Sequence, residues 1–429
     1  MRGLSTSLKE VFGISSNLLK SYVLRHHVDD DFKDKIELTD HHIVVFGETK
    51  VGKSHLRKKY ITPNKETVEI DCTKGVDLYE IYNQILYKCG IETSETLTSS
   101  IERGTRLNKD AEASLFQFLK AKLSGELTET QVISEVARKT IPKTTSVRLV
   151  EALKEKNIKF IVLDDFHYLK LVDQYLLAYD LKMFYQSGIR FIIIGTKINK
   201  GYFEKFNGEL SQRIDYIDAT RWSEKDLKII KERGCEVLNI DISDEIIDYF
   251  IDASSGIVAV YQQLLSHFCI ANNIRKTNEE YIVLNDLDKA IKCNENYYLT
   301  LSEHYLKRIQ DIADGERKAK LKLYYYIIKV VLTSDVEIAK KGFSFQYLFD
   351  NLKNIHPIKS INHGALTSVL NHFDELQSKK DIFPKVFTYY DKRLYVSDSL
   401  FYYILKHFNK EKIDDVLPPY DFQLEFDFN

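Results

Sequence analysis

One stretch limits this chain more than any other. "HHIVVFGETKVGKSHLRKKY" (His41–Tyr60) places four apolar residues, Ile43 to Phe46, before a loop with glycines at its ends and a basic, helix-prone segment after it. The loop Gly47-Glu48-Thr49-Lys50-Val51-Gly52-Lys53-Ser54 has the G-x-x-x-x-G-K-[ST] spacing of a phosphate-binding P-loop. Chemistry dictates that spacing. Glycine adopts backbone angles that a β-carbon forbids, so successive N–H groups can turn inward around an anion. The helix opening after Gly52 aims its N-terminal dipole at the same anion. Lys53 is expected at the β- and γ-phosphates and the Ser54 hydroxyl on Mg²⁺. His55, next in the chain, is counted with the nucleotide contacts. The bland alternative is a glycine turn that merely ends a buried strand.

Such a loop requires parallel strands alternating with helices. "HHIVVFG" is the first strand candidate, and "ETVEIDC" (Glu66–Cys72), with a period of two, is the second. "NIKFIVLDDFH" (Asn157–His167) and "GIRFIIIGT" (Gly188–Thr196) are continuous apolar runs, as expected of strands buried on both faces. "RIDYIDA" (Arg213–Ala219) is shorter and more polar, an edge candidate. Gly75 to Glu155 reads as helical, with an inserted or elaborated middle. From Trp222 onward strand signals stop. Ser223 with Asp226 makes a capping box, and several helices follow to about Asp314. The last third is rich in Tyr and Phe. "LKLYYYIIKVVL", "FSFQYLFDNL" and "NHGALTSVLNHFDEL" read as helices, and "VFTYYDKRLYVSD" reads as a hairpin turning at Asp391-Lys392. Helices followed by a hairpin are the order of a winged helix.

A chain of 429 residues exceeds one ordinary core, so two or three domains are expected. Its 61 Lys and Arg against 63 Asp and Glu give a net charge of −2, so no global field draws nucleic acid. The five scattered cysteines lack a C-x-x-C pair and fit reduced cytoplasmic thiols. The N-terminus "MRGLSTSLKEVFGISSNLLK" carries neither a long apolar core nor a cleavage site. The expectation is a cytoplasmic protein with no signal peptide and no membrane span.

Several residues outside the loop carry chemistry. Asp164 ends "FIVLD", on a strand expected beside the first, and is placed to hold Mg²⁺ through water. Asp165 is placed to polarise the attacking water. Two solvated acids capping a strand are the alternative. Thr196, or its rival Asn199, can contact the γ-phosphate or the water; Thr196 could equally cap the next helix. Arg213, between a helix and the last strand, can neutralise a neighbouring subunit's γ-phosphate or make a surface salt bridge. With five strands at about 4.8 Å spacing, it would sit some 15–20 Å from its own P-loop. Tyr22 and Arg25 could line the base or ribose site. The adjacent His26 and His27 lack a third metal ligand and read as solvated. Around the hairpin, Lys353, Lys359, Lys379, Lys380, Lys385, Lys392 and Arg393 outnumber Asp350, Asp374, Glu375, Asp381 and Asp391 by only two, so a regulatory role is favoured over DNA binding. "PPYDFQLEFDFN" (Pro418–Asn429) is an acidic-aromatic tail that docks on a partner or folds back.

With these segments in order, the chain resembles the AAA+/STAND superfamily, close to archaeal-ATPase-like and initiator-like proteins. "SYVLR…HHIVVFGETKVGKSHL", "FIVLDDFHYL", "FIIIGT" and "LSQRIDYIDATRWSEKDL" are similar to the nucleotide-contacting N-terminal stretch with Walker A, Walker B, sensor 1 and the arginine-finger strand. "RLYVSDSLFYYIL" is similar to the closing wing and helix of a winged helix. The resemblance implies an α/β fold with a P-loop parallel sheet of order 5-1-4-3-2, ATP and Mg²⁺ as cofactors, and ATPase activity. It implies a core at 1–221 elaborated at about 98–145, a helical lid at 222–314, a winged helix at 315–417 and the tail at 418–429. Two departures favour slow turnover: "SSGIVAVYQQLL" (Ser254–Leu265) lacks the sensor 2 arginine, and Asp165 stands where glutamate is usual. The leading expectation is a slow nucleotide switch that homo-oligomerises or engages a partner in the ATP state, in a bacterial defence system with a separate effector. A DNA-binding loader or transposition regulator is the rival. A scaffold that never hydrolyses nucleotide is the third reading.

Overall fold

The computed structural model describes residues 5–15, 17–61, 66–90, 143–196, 198, 200–220, 222–315, 321–357 and 361–419. The expected elaboration falls on residues outside these up to 142, as do Asn199, Lys359 and the tail from residue 420. Two compact units divide the chain. One is Leu24–Arg221; the other joins the described residues of Met1–Val23 and Trp222–Asn429.

The Leu24–Arg221 unit is built on five parallel strands: β1 (His42–Phe46), β2 (Thr67–Asp71), β3 (Phe160–Asp164), β4 (Arg190–Gly195) and β5 (Ile214–Asp218). Their spatial order is 2-3-4-1-5, the expected order read from the other side. Helices α1 (His26–Leu38), α2 (Lys53–Tyr60), α3 (Leu78–Lys88), α4 (Lys143–Glu155) and α5 (Leu171–Gln186) connect or flank them. β4 is buried along its whole length and β3 along all but its first residue, which is why both read as unbroken apolar runs. β2 and β5 lie at the edges and keep polar residues. The order implied by the resemblance holds, and the expectation drawn for Asp164 by itself is corrected. The Asp164 strand is not beside the first, because β4 pairs with both β1 and β3 and separates them.

The registers bring the strand ends together. Phe46 pairs with Gly195 on one side and Asp218 on the other, and Asp71 pairs with Asp164. The residues after each strand therefore converge on one sheet edge. At the opposite edge, Arg190 donates to the carbonyl of His41, just before β1 (3.0 Å), and to those of Ile36 (2.8 Å) and Lys35 (2.7 Å) in the last turn of α1.

In the second unit, α6 (Glu224–Leu238) opens with the expected capping box: Ser223 accepts from the Asp226 N–H at 3.1 Å, and the Asp226 carboxylate accepts from the Ser223 N–H at 3.0 Å. Strands do not stop after Trp222. β6 (Ile240–Ile242) and β7 (Ile282–Leu284) form a parallel pair, each three residues long and too short to show an alternating pattern. Helices α7 (Asp244–Ala253), α8 (Val258–Ala271), α9 (Leu287–Ala313) and α10 (Leu323–Thr333) share one hydrophobic core with the segments that follow.

The start of the chain belongs to this core, not to the P-loop unit as expected. Leu8, Val11 and Phe12 are buried in it. Gly234 makes room for Phe12, since a β-carbon there would lie 2.1 Å from the ring. The Leu8 N–H donates to the Arg275 carbonyl at 2.9 Å, fixing the segment at a second point.

Further on, after β8 (Phe343–Ser344), the expected hairpin forms from β9 (Phe387–Tyr390) and β10 (Arg393–Val396). Asp391 and Lys392 both have positive φ, as a two-residue turn between twisted strands demands. Phe343–Ser344 adds a third, antiparallel strand. "NHGALTSVLNHFDEL" is two helices, His363–Asn371 and Phe373–Lys379, broken at His372. No helix among the described residues is long and apolar enough to cross a membrane.

His42 shows how closely the sheet is stapled. Its side chain is fully buried, its Nε2–H donates to the Leu181 carbonyl at 2.8 Å, and its Nδ1 accepts from the Phe191 N–H at 2.9 Å. Burial pushes its pKa down to about 4 from 6.5. The folded protein thus binds this proton less readily than the unfolded chain. Its contribution is complete above pH 6.5 and is lost as pH falls towards about 4, a difference of about 3 kcal/mol. In urea denaturation, His42→Gln is expected to be less stable than wild type at pH 7.5, with the gap narrowing as pH falls to 4.5. A gap that does not change with pH would refute this account.

Candidate functional site

The loop after β1 and the helix α2 form one side of the site. Gly47 (φ 145°), Lys50 (φ 61°) and Gly52 (φ 90°) take left-handed backbone angles, which curl the loop before α2 begins at Lys53. Gly47 is also tightly enclosed, because a β-carbon there would lie 2.9 Å from Thr220 Oγ1. Val51 anchors the loop in the core, while Glu48, Thr49, Ser54 and His55 are half-buried and Lys50 is exposed.

Inside this curl lies the Lys53 ammonium. It donates to the Gly47 carbonyl at 3.0 Å and to the Glu48 carbonyl. Burial lowers its pKa to about 8, against the opposing pull of Asp164, Asp165 and Glu48. The cation is thus poorly solvated; among the described residues its hydrogen bonds go to the loop's own carbonyls, with the Asp164, Asp165 and Glu48 charges nearby. A phosphate group could take over those donors and supply the missing counter-charge.

The acids stand at the end of β3. Asp164 is buried; its Oδ1 accepts from the Asp165 N–H at 2.9 Å. That bond accompanies a left-handed Asp165 (φ 54°), whose side chain reaches solvent. Partial burial and then the Asp164 charge raise the Asp165 pKa, and Lys53 opposes them. Thr196 follows β4 directly and is buried, at the same sheet edge as the P-loop and the acids.

Other predicted residues lie elsewhere. Arg213 precedes β5, and its carbonyl accepts from the His42 N–H at 2.9 Å, so it sits at the opposite edge of the sheet from the P-loop. β5 is the immediate neighbour of β1, so the expected separation across five strands is corrected. The distance runs along the strand instead, roughly 16 Å at 3.3 Å per residue. The Arg213 guanidinium lies over the Tyr185 ring and donates to the Glu209 carbonyl. Arg25 is almost wholly buried and donates to the Ala219 carbonyl at 2.8 Å, which ties the start of α1 to the end of β5. Tyr22 belongs to the other unit, where its carbonyl accepts from Arg233.

Three residues escaped the sequence reading. Arg57 lies on α2 four residues after Lys53, on the same helix face, so its spacing was a usable signal. It contacts Glu69 on β2, and its Nη2 lies 3.9 Å from Asp164 Oδ2. Asp71 ends β2 as Asp164 ends β3. Thr220 abuts Gly47 with no sequence signal, because only the fold brings the two together.

The donor set suits a nucleotide with a hard divalent cation: a buried ammonium in a curled loop, a hydroxyl at Ser54 and a carboxylate at Asp164. Among the described residues, no group of three or more His, Cys, Asp or Glu could hold a metal by itself.

Residues 36–199 match the family model of the AAA domain. No curated protein sequence matches the chain. Among solved structures, it is similar to the Walker-type ATPase PABY2304 of Pyrococcus abyssi, with 14% identity over 90% of this chain and 96% of that one and a TM-score of 0.48. It is also similar to the Aeropyrum pernix ORC1 protein in complex with DNA (11% identity, 96% and 97% coverage, TM-score 0.42). A Thermotoga maritima RuvB variant gives 12% identity, 87% and 90% coverage and a TM-score of 0.33.

Lys53→Ala should abolish ATP binding and leave the fold intact, since the loop loses its fixed cation and no core contact. Titration with a fluorescent ATP analogue, with circular dichroism as the control, tests this. Unchanged affinity in a folded variant would overturn the assignment of the loop.

Proposed function

Taking the chain as an AAA+ P-loop ATPase, we propose that it is a slow ATP-driven switch whose ATP state oligomerises or engages a separate effector protein. The observation that carries this reading is the Lys53 ammonium in the curled loop, at the sheet edge where Asp164, Asp165 and Thr196 converge. Bound Mg-ATP supplies the scissile phosphoanhydride and the charge that Lys53 lacks. Lys53 binds the β- and γ-phosphates. Ser54 and Asp164 hold the metal side of the complex. Asp165 takes a proton from the attacking water at its carboxylate, and its raised pKa moves it towards the range useful for a general base. Thr196 orients that water or the γ-phosphate.

Slow turnover is supported by Asp165 in place of a longer glutamate, and by the absence of arginine from Ser254–Leu265. The segment 315–417, read as a winged helix, fits a regulatory role. It shares one continuous core with the helices before it, and its charge surplus is slight. We place the switch in the cytoplasm, within a bacterial defence system; this part of the reading rests on the family resemblance.

Asp165→Asn should keep Mg-ATP binding but slow steady-state phosphate release by ten- to a hundredfold, since an amide cannot accept the proton. Unchanged turnover would remove Asp165 from the chemistry.

Arg213 tests whether the protein works alone. From the far edge of the sheet it cannot serve its own γ-phosphate, so it is assigned to a neighbour's. Arg213→Ala should bind ATP normally yet lose the part of the activity that rises with protein concentration. Mixing it with Lys53→Ala should restore part of that activity. Loss without rescue, or a rate strictly linear in wild-type concentration, would sink the shared-site model.

A further inference from the structure

Arg57 is a charge that P-loop chemistry does not call for. It sits one turn beyond Lys53, with its side chain 7% exposed. Its Nη1 contacts the Glu69 carboxylate, its Nη2 lies 3.9 Å from Asp164 Oδ2, and its Nε has no hydrogen-bond partner. Burying a guanidinium with one nitrogen unsatisfied is costly, so packing alone is a poor account of it.

The neighbouring charges supply a better one. Asp71 and Asp164 pair in register at adjacent strand ends, and Asp165 follows directly. Lys53 is occupied by the loop carbonyls at Gly47 and Glu48. Without Arg57, four carboxylates, Glu69, Asp71, Asp164 and Asp165, would be left with one partly engaged ammonium. That unopposed charge would raise the affinity of Asp164 for a divalent cation whether or not nucleotide was present. The Asp164 oxygens are divided between the two neighbours. Oδ1 takes the Asp165 N–H, and Oδ2 lies on the Arg57 side.

We propose that Arg57 is a positioning residue and standing counter-cation: it holds Asp164 in an ion pair in the nucleotide-free protein, so that divalent metal enters only together with the phosphates. The inference rests on the nucleotide reading above. Glu69 tunes the effect, since it shares the guanidinium and weakens its hold on Asp164.

Mn²⁺ binding to the nucleotide-free full chain, followed by the spin-resonance signal of free Mn²⁺, tests the idea. Wild type should bind weakly. Arg57→Gln should bind about tenfold more tightly, the scale of removing a unit charge beside a divalent ion under near-aqueous screening. Arg57→Lys, which keeps the charge, should resemble wild type. Adding Asp164→Asn to Arg57→Gln should erase the gain. Glu69→Gln leaves the guanidinium uncompensated and should weaken Mn²⁺ binding, which keeps a test available if Arg57→Gln does not fold. Equal affinity in wild type and Arg57→Gln, or a gain that survives Asp164→Asn, would overturn the proposal. Nucleotide binding by the same wild-type sample, with chelator and with Mn²⁺, separates the two claims. No binding in either condition refutes the P-loop reading; normal binding with unaltered Mn²⁺ affinities refutes the Arg57 role alone.

Discussion

The parallel ladder through β1 is the constraint on which the rest depends. β1 is paired on both sides, to β4 and to β5, and every strand in the sheet points the same way. A parallel strand cannot return by a tight turn, so each connection must cross the sheet, and the chain leaves every strand at the same edge. Gly47, Asp165 and Thr196 meet there although they are far apart in sequence. The ladder also explains why His42 and Arg190 are used so heavily at the opposite edge. There, Arg190 donates to the carbonyl before β1 and to two in the last turn of α1, and His42 donates to the Leu181 carbonyl of α5.

Charge is the second organising theme. The site holds two buried or half-buried cations, Lys53 and Arg57, beside carboxylates at Asp71, Asp164 and Asp165. Neither cation has an ideal partner. Lys53 rests on neutral carbonyls, and burial lowers its pKa against the pull of Asp164, Asp165 and Glu48. Arg57 is divided between Glu69 and Asp164. Such a site is stable enough to fold and is still under-compensated, the condition in which an incoming phosphate and metal gain most from binding.

The sequence reading failed where signals were short or tertiary. Three-residue strands such as β6 and β7 leave no periodicity to detect. Leu8, Val11 and Phe12 looked like the start of the P-loop unit because they precede it in the chain. Their actual neighbour, Gly234, is more than two hundred residues away. Arg57 lay in plain view within a basic run, but only the closeness of Glu69 and Asp164 separates it from the exposed Lys58 and Lys59.

What the sequence determined by itself was the local chemistry. The glycine spacing, Lys53 and Ser54 are legible because a phosphate cradle needs those residue types at fixed intervals. The five strands are legible because apolar runs and their polar edges follow from burial, and the hairpin at Asp391-Lys392 because alternating residues flank a short polar turn. The strand order, with β4 between the P-loop strand and the acids, was implied by the family resemblance and by no single run of residues; tertiary structure alone put Leu8, Val11 and Phe12 into the core beside Gly234. It also carried Arg213 to the far edge of the sheet and set Arg57 against Asp164. Those outcomes depend on backbone pairing and on side-chain distances between segments far apart in the chain, which no run of residues encodes alone.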